Sequence, residues 1–215
     1  MGKVAIVIGA TGLIGRHLVE QLANTDAIVQ VITLTRSAVL YNDPKVINYV
    51  VNFDRLSSYA GLFKGDYLFS CLGTTLKQAG SIAAQRRVDL DYQLYAATIA
   101  ATQGIEHYLL VSSTGADARS GRAYFKMKGE LEARVSALPF KRISIFQPSL
   151  LIGKRHHFRF GEKMGACLLT VLCQLPWWRH FRPISGQQVA AKMVHVSQQS
   201  GKGVAYFRLD QILLE

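Results

Sequence analysis

The feature that most constrains the fold is the glycine-rich stretch GATGLIG, which directly follows the apolar run KVAIVI near the start of the chain. Gly9, Gly12 and Gly15 stand where a first strand would end and a first helix would begin. In a dinucleotide site, the first glycine permits a tight turn, the second lets backbone approach the pyrophosphate, and the third lets the helix pack against the strand. Unpaired N–H groups at the helix start favour the phosphates. The stretch predicts a dinucleotide-binding turn, with a purely structural turn as the alternative.

Strand-like and helix-like segments alternate along the rest of the chain. Runs rich in Val, Ile and Leu predict buried strands at 3–9, 27–36, 46–51, 66–73, 107–113 and 142–149. Amphipathic stretches predict helices at 12–24, 55–63, 81–103 and 122–138. Such alternation predicts an α/β fold, a Rossmann-type doubly wound parallel sheet with right-handed crossovers.

The pattern changes after about residue 150. A basic loop is followed by a predicted helix at 161–174, the sequence LPWW, a second helix near 186–199 and a final strand, GVAYFRL. We interpret residues 1–215 as a single NAD(P)-binding Rossmann domain, in which residues 150–200 contribute a small C-terminal substrate cap.

The end of the second predicted strand indicates which dinucleotide is bound. An NAD-binding protein usually offers Asp or Glu there to the ribose hydroxyls. This chain has Arg36 instead, and no acidic residue occurs between 27 and 42. A carboxylate would repel a 2′-phosphate, whereas a guanidinium binds it through two parallel hydrogen bonds. Arg16, just after the third glycine, adds positive charge, so NADP(H) is expected over NAD(H).

The spacing Y-x-x-x-K occurs twice. Tyr41 and Lys45 are separated by a proline, which disfavours helix at the preceding residue, so this pair is not expected to share a helix face. Tyr124 and Lys128 lie in a segment with helical periodicity, where residues four apart are neighbours. Ser113, eleven residues earlier, stands at the end of the fifth predicted strand, where open α/β sheets bind their ligands.

The segments GATGLIG, CLGTT, VSSTGAD and YFKMK, in this order and spacing, resemble the short-chain dehydrogenase/reductase superfamily. The resemblance is closest to its atypical NADPH-binding branch related to the Tat-interacting-protein oxidoreductase homologue. RVDLDY at 87–92 and KGELEARV at 128–135 are also expected in that branch. The resemblance runs from about residue 3 to residue 163 and is loose beyond that point.

The resemblance implies an NADPH-dependent oxidoreductase that transfers hydride to or from a small carbonyl or alcohol substrate. It implies that Ser113 hydrogen-bonds the substrate oxygen, that Tyr124 transfers the proton, and that Lys128 favours the phenolate and holds the ribose. The expected cofactor contacts, from the turn, the strand ends and the resemblance, are Gly9, Thr11, Gly12, Leu13, Ile14, Gly15, Arg16, Arg36, Leu72, Gly73, Tyr124, Lys128, Leu151 and Arg159.

Two positions depart from the family pattern. Asp89 stands where many relatives have an asparagine that serves a proton relay, and the sequence Gln-Pro-Ser at 147–149 replaces a common Arg-Pro-Gly. Three alternatives therefore stay open. In the first, Tyr124 and Lys128 are a structural or cofactor-holding pair. In the second, the protein is an NADPH-binding redox sensor that regulates a partner and has little turnover. In the third, it is a nucleotide-sugar epimerase-type enzyme.

Composition limits the partners and the location. Residues 1–107 hold nine Lys and Arg against eight Asp and Glu, whereas residues 108–215 hold sixteen against six. The basic residues are scattered without a nucleic-acid motif, so specific nucleic-acid binding is not expected, and a protein partner would use the basic half. Monomer or homodimer is expected.

Cysteine spacing and hydropathy complete these expectations. The three cysteines lack disulfide or metal-ligand spacing, and the adjacent His156 and His157 have no carboxylate or cysteine beside them, so no metal is expected. The longest apolar run is 13 residues, too short to span a bilayer as a helix. The sequence therefore predicts a reduced, cytoplasmic protein without a membrane span.

Overall fold

The computed structural model describes residues 2–149, 151–152 and 184–214. The strands of these residues are β1 (Lys3–Ile8), β2 (Ile28–Thr35), β3 (Val46–Val50), β4 (Tyr67–Ser70), β5 (His107–Val111), β6 (Arg142–Gln147), β7 (Leu151–Ile152), β8 (Ile184–Ser185) and β9 (Gly203–Arg208). The α-helices are α1 (Gly15–Ala23), α2 (Leu76–Ala79), α3 (Ile82–Arg86), α4 (Tyr92–Thr102), α5 (Ala123–Ser136) and α6 (Gly186–Gln198). A π-helical turn spans Arg87–Asp91, and 3-10 helices span Phe53–Leu62 and Leu209–Ile212.

The main sheet has seven strands in the order β3-β2-β1-β4-β5-β6-β9, and every neighbouring pair is parallel. The strand order reverses between β1 and β4, which is the switch point where doubly wound sheets bind ligands at their carboxyl edge. This topology confirms the predicted Rossmann-type sheet. β7 and β8 form a separate parallel pair.

Helices cover both faces of the sheet, so the strands are buried on both sides. Ile6 and Ile8 of β1 join a core beneath α4 and α5, while Ala5 and Val7 join the opposite core beneath α1 and α6. All four side chains are fully buried. Burying one Val or Ile side chain contributes about 1.5–3 kcal/mol, so the continuous apolar run stabilises both layers at once.

Helix α6 packs on the sheet beside α1. Its start is fixed by a capping box, in which the Ser185 hydroxyl accepts from the Gln188 N–H at 3.2 Å and Gln188 Oε1 accepts from the Ser185 N–H at 2.9 Å. Gly186 lies against the Leu13 carbonyl oxygen, where an added Cβ would overlap it. The predicted helix at 161–174 and LPWW lie outside the described residues, so a substrate cap stays a prediction.

Several predicted boundaries differ from the structure at the carboxyl edge of the sheet. The strands predicted to end at residues 73, 113 and 149 end at Ser70, Val111 and Gln147, because the chain leaves the ladder there to form loops. The helix predicted at 81–103 consists of α3, the π-helical turn and α4. The segment around Tyr41 is not helical, as its proline indicated.

His107 of β5 is buried near the amino-terminal edge of the sheet. Its Nε2 lies 2.9 Å from the Ser144 hydroxyl of β6, and its ring meets Tyr67 edge-on. Burial lowers the pKa of His107 from its ordinary 6.5 to about 3, and the nearby Arg142 guanidinium acts in the same direction. The folded protein therefore keeps this imidazole neutral under mildly acidic conditions.

We expect the free energy of unfolding to decrease as the pH falls from 6.5 towards 3. In this window the unfolded chain protonates His107 and the folded chain does not, so acid favours unfolding, by at most about 1.4 kcal/mol per pH unit. Urea unfolding at neutral and at mildly acidic pH should give a shallower pH dependence for His107→Gln. His195→Gln, at an exposed position, should keep the wild-type dependence. Equal pH dependence in wild type and His107→Gln would contradict the assignment.

Candidate functional site

The glycine turn, residues 9–15, brings β1, α1 and the loop after β4 into backbone contact. Gly9 has φ +78°, and a Cβ there would lie 2.5 Å from the Cys71 carbonyl carbon. A Cβ on Gly15 would overlap the Gly9 carbonyl oxygen. The Gly12 N–H donates to that oxygen at 3.0 Å. The turn needs glycine at both ends, because the first position has left-handed backbone and the last lies against backbone.

The turn leaves polar backbone available at the start of α1. Thr11 and Gly12 are exposed, Leu13 is half-buried, and Ile14 packs in the core. No side chain of the described residues caps the helix start, and its first turn holds no acidic residue. Arg16 is exposed in that turn. Uncapped N–H groups, the helix dipole and one guanidinium together suit a phosphate.

The loop after β4 lies beside this turn. Cys71 touches Gly9 through backbone, Leu72 packs against the core under α4, and Gly73 is exposed. Burial raises the pKa of the Cys71 thiol to about 12, so the thiol is neutral at physiological pH. The loop therefore contributes shape and backbone to the site, and its cysteine is not an activated nucleophile.

A cavity of about 360 Å³ opens at the carboxyl ends of β2 and β3. It is lined by Arg36, Val50, Val51, Asn52, Phe53, Asp54, Tyr59 and Tyr92. Tyr92 donates its hydroxyl to Asp54 Oδ1 at 2.8 Å, and its ring packs against Phe53 with centroids 5.5 Å apart. Of these residues, the sequence interpretation identified Arg36 alone. The sequence NFD, directly after the third predicted strand, is the signal that would have pointed to Asp54.

Ser113, Tyr124 and Lys128 lie on the segment that follows β5. Ser113 is half-buried and donates its hydroxyl to the Thr114 carbonyl at 3.2 Å. Tyr124, in the first turn of α5, is 36% exposed, whereas Lys128, one turn later, is 2% exposed. The Lys128 ammonium lies 3.2 Å from Asp89 Oδ1. An exposed tyrosine and a buried, paired lysine thus lie four residues apart on the helix that follows β5.

Close packing on α5 fixes the loop that carries Ser113. Gly129 lies against this loop, where an added Cβ would overlap the Ala118 nitrogen and come within 2.6 Å of the Asp117 Cα. The Asp117 N–H donates to the Phe125 carbonyl at 3.1 Å. The absence of a side chain at Gly129 therefore lets the Ser113 loop approach the helix that carries Tyr124.

A second buried polar group lies behind the site. Ser112 donates its hydroxyl to Glu132 Oε1, and Gln147 Nε2 donates to both Glu132 oxygens at 2.9 and 3.0 Å. Arg208 of β9 donates to Gln147 Oε1 at 2.8 Å. Burial raises the pKa of Glu132, while these hydrogen bonds and the charges of Arg208 and Lys128 oppose the rise. Gln147, where the sequence departs from the family pattern, therefore joins Glu132 to Arg208.

The remaining predicted residues belong to β7 or follow it in the sequence. Leu151 lies in β7 and packs, half-buried, against the core beneath α6. Arg159, His156 and His157 lie outside the described residues. Within the described residues, no group of three or more His, Cys, Asp or Glu side chains is arranged to hold a metal ion. In the same part of the chain, the helices are too short or too polar to cross a bilayer.

The comparisons with known proteins identify the relatives of this chain. Residues 5–133 match the family model described as NAD dependent epimerase/dehydratase family. Protein HTATIP2 of Rattus norvegicus is 37% identical over 164 residues, which cover 74% of this chain and 67% of that protein. Protein FMP52, mitochondrial, of Candida glabrata is 34% identical over 209 residues, covering 93% and 87%. The resemblance inferred from the motifs is confirmed.

Solved structures share the fold at low sequence identity. The Bordetella bronchiseptica enzyme WbmH in complex with NAD+ has a TM-score of 0.71 at 12% identity, covering 97% of this chain and 76% of that one. UDP-N-acetylglucosamine 4-epimerase from Bacillus cereus has a TM-score of 0.70 at 16% identity, covering 96% and 77%. At such identities the likeness establishes the fold alone.

The expected cytoplasmic location is wrong. The related FMP52 proteins of Candida glabrata, Emericella nidulans and Saccharomyces cerevisiae are named mitochondrial. The expectation rested on cysteine spacing and on hydropathy. Neither property distinguishes one reducing compartment from another.

We expect Gly129→Ala to lower the free energy of unfolding by about 1–3 kcal/mol, the usual cost of overpacking. The new methyl group would overlap backbone of the Ser113 loop, which has no side-chain freedom to absorb it. Gly61→Ala is the matched control, since an added Cβ there meets nothing within 4 Å. Urea denaturation of the two variants measures the difference. If Gly129→Ala is as stable as Gly61→Ala, the close packing of loop and helix is not rigid.

Proposed function

The chain belongs to the NAD dependent epimerase/dehydratase family, and we propose that it is an NADPH-dependent reductase of small carbonyl compounds. The observation that carries the proposal is the difference in exposure between two residues of α5. Tyr124 is 36% exposed, whereas Lys128 is 2% exposed and pairs with Asp89. Both lie on α5, which follows β5 and the loop that carries Ser113. A solvent-facing acid and a buried cation suit proton transfer to a bound oxygen.

The residues of the glycine turn fit a dinucleotide. Thr11 and Leu13 would hold the pyrophosphate through backbone N–H groups, Gly12 would let the backbone approach it, and Arg16 would add charge. The backbone nitrogen of Leu72 lies against Gly9 of the same turn, and Gly73 follows in the loop after β4. Arg36 and the 360 Å³ cavity suit the adenosine end with its 2′-phosphate. Gly9 and Gly15 are required for this shape, since a Cβ at either position would meet backbone.

Each side chain has a separate chemical task in the proposed reaction. A reduced nicotinamide, when bound, would supply the hydride, with its two electrons, that the carbonyl carbon accepts. The Tyr124 hydroxyl gives its proton to the carbonyl oxygen, so that the product is an alcohol. Ser113 donates a hydrogen bond to that oxygen once its hydroxyl leaves the Thr114 carbonyl. Lys128 would stabilise the phenolate that remains and would hold the ribose hydroxyls.

A second candidate is a nucleotide-sugar epimerase-type enzyme, which the family match over residues 5–133 supports. Such an enzyme oxidises and re-reduces its substrate on one dinucleotide, so it holds the dinucleotide through turnover. Purified protein that retains a stoichiometric dinucleotide and does not consume added NADPH with carbonyl compounds would favour this candidate. Exchangeable NADPH without turnover would favour a redox sensor.

We expect NADPH to bind at least about tenfold more tightly than NADH, which is ~1.4 kcal/mol. Arg36→Asp should erase or reverse this preference, because it removes the guanidinium and adds a charge that repels the 2′-phosphate. Arg55→Asp is the matched control, an exposed arginine near the cavity that does not line it. Calorimetric titrations with both dinucleotides measure the effect. Equal affinities in the wild-type protein would refute the NADPH preference.

We expect Tyr124→Phe to separate chemistry from binding. The change keeps the ring and removes the hydroxyl, so turnover should drop about 10²-fold, the scale of losing a general acid. The affinity for NADPH should change little. The assay follows loss of reduced-nicotinamide absorbance with a panel of small aldehydes and ketones. Tyr95→Phe, at an exposed position on α4, is the control. Normal turnover by Tyr124→Phe would exclude the tyrosine as the acid.

A further inference from the structure

The π-helical turn at Arg87–Asp91 interrupts the helix that follows β4. Such turns are rare and frequently occur at functional sites, because the wider turn redirects one side chain. Asp89 lies in the middle of this turn, and its side chain is fully buried. An isolated buried carboxylate is strongly disfavoured, so its partners account for its presence.

The Asp89 carboxylate joins two parts of the site. Oδ2 accepts a hydrogen bond from the Thr74 N–H at 3.0 Å, in the loop that follows Leu72 and Gly73. Oδ1 lies 3.2 Å from the Lys128 ammonium. This second contact is an ion pair rather than a well-directed hydrogen bond, since Oδ1 has no hydrogen-bond partner among the described residues. One carboxylate therefore links the cofactor-side loop to the lysine of α5.

The turn itself is held against β4 by further hydrogen bonds. Gln93 Nε2 donates to the Asp89 carbonyl at 2.8 Å, and the Ser70 hydroxyl donates to Gln93 Oε1 at 2.7 Å. Gln93 and Ser70 are fully buried. The backbone of Asp89 is thus fixed to a central strand of the sheet, which fixes where its carboxylate can hold a cation.

Other ionisable groups near Lys128 do not replace this contact. Glu132 is one turn further along α5, but its two oxygens are hydrogen-bonded by Gln147 and Ser112. The Cys71 thiol at the end of β4 is neutral at physiological pH because burial raises its pKa to about 12. Tyr124 faces the solvent one turn earlier. Among the described residues, Asp89 supplies the carboxylate within 4 Å of the Lys128 ammonium.

We propose that Asp89 is a positioning residue, which holds the Lys128 ammonium in place beside Tyr124 and ties it to the loop at Thr74. The proposal rests on the proposed function for the use of Lys128 as a cofactor contact. An ammonium has three N–H donors, and Asp89 engages at most one side of it. The remaining donors would serve the phenol and ribose hydroxyls that the proposed reaction requires. The aspartate that departs from the family's asparagine therefore acts through the lysine by charge pairing.

The proposal is tested by the chemical reactivity of Lys128 in protein without added ligand. Lysines are reductively methylated with formaldehyde and cyanoborohydride, and the modified peptides are quantified by mass spectrometry. Asp89→Asn should speed modification of Lys128 at least about tenfold, because the ammonium loses the charge that stabilises it. Lys126, exposed on the same helix, is the internal reference and should react at an unchanged rate. Asp91→Asn, an exposed acid of the same π-helical turn, is the matched control and should leave Lys128 slow.

Unchanged reactivity of Lys128 in folded Asp89→Asn would overturn the proposal. If Asp89→Asn does not fold, the double variant Asp89→Asn with Lys128→Met decides, because it removes the unpaired buried charge. Recovery of a cooperative unfolding transition in the double variant supports the pairing. A double variant that also fails to fold shows that Asp89 acts through Thr74 instead, and the proposal falls.

Titration with NADPH separates this inference from the proposed function. Asp89→Asn should weaken NADPH binding about fivefold, as expected when a charge-assisted contact is displaced, and Asp91→Asn should not. Faster methylation of Lys128 with unchanged NADPH affinity would support the role of Asp89 in holding the lysine. The same result would remove the contact between Lys128 and the cofactor from the proposed function.

Discussion

The structure depends on a close backbone approach between β1 and α1. Gly15 lies against the Gly9 carbonyl oxygen, and Gly9 lies against the backbone of Cys71, with no room for a Cβ at either glycine. This approach sets how closely α1 covers the sheet, and it brings the loop after β4 beside the helix start. The Leu13 carbonyl of the same turn packs against Gly186 at the start of α6. One turn of seven residues therefore joins β1, β4, α1 and α6 at the ligand edge.

A parallel sheet covered on both faces has few places for polar side chains, and two buried polar groups of this chain are held on α5. Lys128 pairs with Asp89, and Glu132 is hydrogen-bonded by Ser112 and Gln147. Buried charges without partners would cost several kcal/mol each, so each group requires the next. Both groups converge on α5, the helix that also carries Tyr124. The helix is thereby fixed by polar contacts on its buried face and leaves its phenol exposed.

The sequence predicts the sheet well because burial on both faces leaves continuous apolar runs, and the glycine turn fixes where the first strand ends. The residues at which the strands end are less predictable, because the chain leaves the sheet after Ser70 and Val111 to form loops. The pairing of Asp89 with Lys128 was not predictable, because it joins residues 39 apart in sequence. The π-helical turn that holds Asp89 was not predicted either. Hydrophobic periodicity carries no information about such a contact.

Side chains of opposite charge line the cavity at the carboxyl ends of β2 and β3. Arg36 and Asp54 both line it, so charge alone would favour neither dinucleotide. Asp54, however, accepts a hydrogen bond from Tyr92 at 2.8 Å and lies 3.8 Å from the Arg87 guanidinium. These neighbours offset its charge, whereas Arg36 has no ion-pair partner within 4 Å among the described residues. The Arg36 guanidinium is therefore the uncompensated charge at the end of β2, and the proposed preference for a dinucleotide with an additional phosphate depends on it.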